Sequence, residues 1–197
     1  RTQNLVSSLS KHIRNIKSLI QYLNKHTFDY HVIHGDPKLS NFLFDIHNKY
    51  VVSLIDLDTV SSGYLLTDLA DCIRSICNLA GEDPVNKENV SFNIESCIYF
   101  LNGYFSITKK NNNHYFNFLS EFIYLLTFEL TIRFLTDFLQ SNRYFKIKYD
   151  THNLFRAEVQ YRLLSSFIDN LANLSDELVG IGISTSSSFV FDVQKFV

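Results

Sequence analysis

The stretch His34-Gly35-Asp36-Pro37-Lys38-Leu39-Ser40-Asn41, followed by Ile55-Asp56-Leu57-Asp58, decides how this chain is read. Tyr30 to Ile33 is a short extended run, His34 to Ser40 is a polar loop holding Gly35 and Pro37, and Asn41 to Phe44 is apolar again. The first segment is therefore predicted to be a loop between two strands. A turn at His47-Asn48-Lys49 leads into the β-branched run Tyr50 to Ile55, which ends at Asp56, and the flanking runs are expected to close as a hairpin. That layout lets a loop carboxylate, an amide five residues later and a strand-end carboxylate converge. Oxygen ligands of this kind suit Mg²⁺, which keeps several waters and bridges substrate phosphates. Phosphoryl transfer also asks for a carboxylate that orients the attacking hydroxyl and accepts its proton. With Asn41 and Asp56 on the metal, Asp36 is free for that role. Asp and Asn also serve plain turn chemistry, and a three-residue motif alone is weak. Order, spacing and strand context together favour the chemical reading.

Outward from this segment the texture is helical. Leu5, Ile13, Ile16, Leu19, Ile20 and Leu23 recur at helical spacing, which predicts an amphipathic helix ending near Asn24. Downstream, periodicity predicts helices over about 66–79, 91–105, 115–140 and 155–172, separated by polar loops such as Gly81 to Lys87 and Lys109 to Asn113. The many Phe and Tyr residues on these faces read as core. The predicted division is a catalytic and substrate lobe over 1–175 and a Ser-rich, then alternating, tail over 176–197 whose role is not readable.

Composition narrows the function classes. There are 18 Lys and Arg against 20 Asp and Glu, a net charge of −2, whereas phosphate-backbone recognition needs clustered cations, so no nucleic-acid partner is expected. With 46% hydrophobic and 19% charged residues the chain should pack a core. No run approaches the roughly 18 apolar residues of a membrane span, so the expectation is a soluble, cytoplasmic protein with no membrane partner. Cys72, Cys77 and Cys97 are odd in number and lack CxxC spacing, and read as buried free thiols.

The pattern from His34-Gly35-Asp36 to Asn41, then Ile55-Asp56-Leu57-Asp58, resembles the aminoglycoside phosphotransferase and choline kinase-like family, relatives of protein kinases. The longer blocks IDLDTVSSGYLLTDLADCIRS and TIRFLTDFLQSNRYFKIKYDTHNLFRAEVQYRLL are similar to the bacterial N-acetylhexosamine 1-kinases of that group. The resemblance covers roughly residues 30–170. It implies an α+β, protein-kinase-like fold, specifically the mainly helical C-terminal lobe with a small β-hairpin, and ATP and Mg²⁺ as cofactors. It implies Asp36 as catalytic base, Asn41 and Asp56 as metal ligands, and Asp58 as a supporting carboxylate. It also makes His34 a loop-shaping residue, Asp68 a brace for the metal loop, and Arg133 and Tyr144 contacts to a sugar acceptor that Asp36 engages.

Two of these positions have other readings in the residues themselves. Glu129, Arg133 and Asp137 follow at i, i+4, i+8, as in a surface ion-pair ladder, yet the apolar setting LLTFELTIRFLTDFL predicts a partly buried Arg needing an oxygen partner. Asp68 and Asp71 equally suit the first turn of a helix, favourable against its dipole. Kinases of this kind also carry an N-terminal lobe with a phosphate-covering loop and a Lys on the α- and β-phosphates. Neither feature is found before residue 30, so an attached N-terminal lobe is expected in the full-length protein, or else this lobe stands alone and binds ATP poorly.

Three other readings compete. IDLDT also fits the nucleophile motif of haloacid dehalogenase-like phosphatases, with Asp56 as nucleophile and Asp58 as acid/base, but leaves the His34 to Asn41 segment unexplained. A silent kinase-like lobe that binds a sugar or a partner is the reading outside enzymology. His31, His34 and Asp36 as a hydrolase metal set lack a further His at ligand spacing. The favoured expectation is Mg²⁺-ATP-dependent transfer to a sugar hydroxyl, most of all the anomeric hydroxyl of N-acetylglucosamine or N-acetylgalactosamine. Aminoglycosides, choline, homoserine and other small hydroxyl compounds are the alternative acceptors.

Overall fold

Helix α1 (Thr2–Leu23) enters the fold by burying Leu5, Leu9, His12, Leu19 and Leu23. This is the computed structural model of the chain, which describes residues 2–47, 49–108 and 114–184. Ile13 and Ile20, expected on the buried face, stand about two-fifths exposed. The buried row instead passes through His12, whose Nδ1 meets the Tyr124 hydroxyl at 2.9 Å. A histidine takes a core position here because its polar atom finds a partner inside.

Four strands follow the predicted order with one addition: β1 (Tyr30–Ile33), β2 (Phe42–Phe44), β3 (Val51–Leu54) and β4 (Ser61–Tyr64). β2 and β3 form the expected antiparallel hairpin, with Phe42 opposite Leu54 and Leu43 opposite Ser53. Asn48 of its turn lies outside the described residues. β1 pairs antiparallel with β4, Tyr30 opposite Tyr64 and Ile33 opposite Ser61. β4 reads Ser-Ser-Gly-Tyr and carries no β-branched residue, so sequence gave no strand signal there. Gly63 belongs to this pairing for steric reasons, since a Cβ there would lie 2.3 Å from the Ile33 Cδ1.

The rest is helical: α2 (Leu65–Ile76), α3 (Ile94–Thr108), α4 (Leu119–Leu139), α5 (His152–Asp169) and α6 (Leu171–Gly180). α3 begins three residues later than periodicity suggested because Asn93 Oδ1 accepts the Ser96 N–H at 2.7 Å, an N-cap that fixes the start. The predicted 155–172 helix is two helices that meet at Asn170. α6 runs on to Gly180, and Leu178 and Ile183 are buried. The loop 109–113 and residues 185–197, where the Ser-rich and alternating stretch falls, lie outside the described residues.

α4 packs along α5 and α2, and this trio supplies the centre of the core through Ile73, Tyr124, Leu163, Leu164 and Phe167, each almost completely buried. Each such side chain contributes roughly 1.5–3 kcal/mol on removal from water. Cys72, Cys77 and Cys97 are all buried and free, and burial pushes the Cys72 thiol up to about 12, so it is unreactive at neutral pH. The strands sit outside this core: Val32, Ile46, Val52 and Leu57 are each more than half exposed. No helix of the described residues is long and apolar enough to cross a membrane. The architecture is α+β, with a helical body carrying two small two-stranded sheets on one flank.

Candidate active site

The loop after β1 is held from three sides. The His34 and Gly35 N–H groups donate to the two oxygens of Asp68, in the first turn of α2, at 2.6 and 2.9 Å. The Thr59 hydroxyl donates to the His34 carbonyl at 2.7 Å. Inside the loop, His34 Nδ1 accepts the Asp36 N–H at 3.3 Å while Nε2 lies 2.9 Å from the Ile55 carbonyl. Those partners require a neutral ring protonated on Nε2, so both nitrogens are committed and His34 ties the loop to the end of β3. Gly35 has φ 85°, and a Cβ there would lie 2.7 Å from the Thr59 carbonyl oxygen. No other residue fits that bend without displacement.

Asn41 links the two predicted carboxylates. It is buried, and its Nδ2 donates to the Asp36 carbonyl at 2.8 Å while lying 3.5 Å from Asp36 Oδ2 and 3.4 Å from Asp56 Oδ2. With Nδ2 so placed, Oδ1 is the atom left to ligate a cation. Asp56 adopts the left-handed conformation, φ 67° and ψ 52°. An aspartate tolerates that region better than most residues, but still at a cost of about 1–3 kcal/mol. The Ile55 N–H donates to the Asn41 carbonyl at 2.9 Å, which fixes Asp56 beside Asn41. One amide oxygen and one carboxylate, with water and phosphate completing the shell, fit Mg²⁺. Among the described residues no group of three His, Cys, Asp or Glu forms a metal cage, so the set does not suit a closed zinc site. Asp58 is exposed and accepts no hydrogen bond among the described residues.

Lys38, which spacing arguments passed over, is the cation nearest Asp36. Its Nζ lies 2.5 Å from Asp36 Oδ2, and both side chains are about one third exposed. Burial would lower the Lys38 pKa, but the bonded Asp36 carboxylate, with Glu82 and Asp56 near by, holds it above its ordinary value. Lys38 is therefore charged at neutral pH, and its contact fixes the Asp36 carboxylate at Oδ2.

Asp36 and Lys38 open onto a cavity of about 510 Å³. Its far wall is Glu129, Arg133 and Phe134 of α4 with Tyr144 and Phe145 of the following loop, and its floor is Asp71, Arg74 and Glu82. The structure thus brings Asp36, Arg133 and Tyr144 to one cavity. Arg133 departs from expectation in being exposed and in making no ion pair among the described residues. It lies over the Tyr144 and Phe145 rings, 5.9 and 5.6 Å from their centroids. The reason is that α4 turns this position toward the cavity. Asp137, the expected end of a ladder, instead accepts the Tyr144 and Phe145 N–H groups at 2.8 and 2.9 Å and Asn153 Nδ2 at 2.8 Å.

Arg74 is the buried cation that sequence reasoning missed. At 2% exposure it donates through Nε to Asp71 at 2.8 Å, through Nη1 to Gln160 at 3.2 Å and through Nη2 to Glu82 at 3.3 Å. Asp71 accordingly is a partner of Arg74 in mid-helix and does not face the helix start. The only local signal was the i, i+3 spacing of Asp71 and Arg74. A larger groove of about 730 Å³ lies between α1, residues 87–91 and α5. It contains none of the motif residues, and its cations Lys87 and Arg162 are paired with Glu158 and Glu88.

Residues 3–89 match the model of the Phosphotransferase enzyme family. The matched stretch holds the loop from His34 to Asn41 with Asp56, Asp58 and Asp68, together with Asp71, Arg74 and Glu82. Arg133 and Tyr144 lie beyond it.

Proposed function

We propose that this chain is the metal- and acceptor-binding lobe of a Mg²⁺-ATP-dependent, kinase-like phosphotransferase whose acceptor is a sugar hydroxyl, N-acetylhexosamine at its anomeric position before others. The observation that carries the reading is Asn41 Nδ2 set between Asp56 and Asp36, the latter of which lines the acceptor cavity. The family match supports phosphotransferase chemistry at this motif. Asp36 has Oδ2 on Lys38, which leaves Oδ1 to accept a hydrogen bond from the acceptor hydroxyl and then its proton. The hydroxyl oxygen forms a bond to the γ-phosphorus as the β,γ P–O bond breaks, and ADP leaves. Asn41 Oδ1 and Asp56 would hold the Mg²⁺, which when bound neutralises charge on the phosphates. Asp68 and His34 keep the loop that carries Asp36 in register, so that the hydroxyl and the phosphate meet in line.

The cavity lining favours a neutral acceptor. Asp36, Asp68, Asp71, Glu82 and Glu129 are nearly balanced by Lys38, Arg74, Arg133 and Arg156. A polycationic aminoglycoside or a choline would meet a lining of five carboxylates and four cations, too nearly balanced to hold several positive charges. A sugar would instead find a guanidinium donor at Arg133 and ring faces at Tyr144 and Phe145, which suit an amide carbonyl and a sugar ring. Asp58, the acid/base of the phosphatase alternative, is exposed and without a partner among the described residues, which favours transfer over hydrolysis. The exposed apolar flank at Val32, Leu43, Val52 and Leu57 is where a phosphate-covering lobe would seat.

The test is transfer of phosphate from Mg²⁺-ATP to N-acetylglucosamine, N-acetylgalactosamine, an aminoglycoside and choline in parallel. The hexosamines should give the highest kcat/KM. Equal or better turnover of the two cationic acceptors would refute the acceptor assignment. Binding of Mg²⁺-ATP with no transfer to any of the four would favour the silent-lobe reading.

A further inference from the structure

The loop between α2 and residues 87–89 reads as a plain polar connection, yet two adjacent side chains in it grip opposite sides of the acceptor cavity. Glu82 Oε1 takes Arg74 of the cavity floor at 3.3 Å. Asp83 turns the other way and gathers three basic side chains. Its Oδ1 accepts from His152 Nε2 at 2.9 Å and Arg156 Nε at 2.8 Å, and its Oδ2 from Lys148 Nζ at 2.9 Å and Arg156 Nη2 at 3.2 Å. The Lys148 N–H donates to His152 Nδ1 at 3.2 Å, so His152 presents Nε2–H to Asp83. Arg156 Nη1 meanwhile holds the Lys146 carbonyl at 3.0 Å, and its guanidinium lies 5.5 Å from the Phe134 centroid. Phe134 packs on Phe145 at 4.6 Å, and Phe145 lies under Arg133. One carboxylate thereby fixes residues 146–148 of the strap, whose start is held by Asp137, and, through Arg156 and Phe134, braces the ring on which Arg133 rests.

We infer that Glu82-Asp83 is a bracket that sets the width of the acceptor cavity, with Asp83 a positioning residue for acceptor recognition that itself stays out of the cavity. The inference rests on the phosphotransferase reading for its kinetic consequence, but its structural consequence stands apart from that reading. A charge-assisted, bidentate Arg contact fixes direction as well as distance, so its loss should loosen the wall without disturbing Asp36 on the opposite side.

The test uses the full chain with Asp83→Ala, and with Asp83→Asn as the variant that keeps the shape and one acceptor oxygen. Trypsin cleavage after Arg143, Lys146 and Lys148 should accelerate about tenfold in Asp83→Ala, the change associated with losing one hydrogen-bonded charge contact, and less in Asp83→Asn. With N-acetylglucosamine as the probe acceptor, its KM should rise by a similar factor while kcat and the KM for ATP stay within about twofold. Lys87→Ala, which breaks the Lys87–Glu158 pair outside the cavity, should change neither readout. Unchanged cleavage of the strap in both Asp83 variants would overturn the bracket whatever the enzyme does. If transfer proceeds normally and the acceptor KM does not move, the positioning role is also overturned. If the strap loosens but the wild-type chain phosphorylates no acceptor, the bracket holds as structure and the phosphotransferase reading fails.

Discussion

Asp36 and Lys38 share a contact of 2.5 Å, and what that contact does can be read from each side chain in turn. Replacing Asp36 by Ala removes the proton acceptor and should lower kcat by about 10²–10⁴, the usual contribution of a positioned general base, with acceptor binding largely retained. Steady-state kinetics checks this, and a near-normal kcat would remove the base assignment. Lys38→Met removes the Nζ that fixes Asp36 Oδ2, so kcat should fall by about tenfold, the loss expected for one charged hydrogen bond. An unchanged kcat would show that Lys38 does not position Asp36. That Asp36, Asn41 and Asp56 come together was legible in sequence because they lie in one loop and at the next strand end, joined by a short hairpin. Arg74 was not, because its partner Gln160 is 86 residues away and no local spacing reports such a contact.

At the scale of elements, the end of α4 shows how a loop is held by one carboxylate. Burial alone would raise the Asp137 pKa, but the Phe145 and Tyr144 N–H groups hold it below its ordinary value. A depressed folded pKa gives stability that is fully present above the ordinary carboxylate range and is lost as pH falls through the folded value. Thermal unfolding should therefore show a steeper loss below about pH 4 in wild type than in Asp137→Asn. At pH 7 that variant, deprived of charged hydrogen bonds, should be less stable by about 2 kcal/mol, and an unchanged melting temperature would contradict the role. Five helices and the hairpin were legible because their periodicity is long or β-branched. β4 and the start of α6 were hidden because Ser-Ser-Gly-Tyr has no strand bias and the break at Asn170 leaves the helical pattern uninterrupted. Arg133 was misread for a related reason: α4 is apolar on nearly every side, so periodicity could not say which side faces the cavity.

The distribution of apolar surface belongs to the whole molecule. The helical body buries its large side chains, whereas Val32 is 83% exposed and Val52 60% exposed, and both lie in the strands around the loop 34–41. Side chains this exposed add little to stability, so replacing them separates folding from function. Val52→Lys should leave the melting temperature of this chain within about 1 °C, since surface substitutions away from buried contacts usually stay within ±0.5 kcal/mol. If the flank seats a phosphate-covering lobe, the same substitution should raise the KM for ATP severalfold in the intact phosphotransferase while the KM for the sugar stays unchanged. Asp83→Ala is expected to give the reverse pattern, because acceptor wall and nucleotide flank are built on separate elements. Parallel changes in both constants for either variant would mean that the two halves of the site are not mechanically separate, and that the strands and the α4–α5 loop move as one unit.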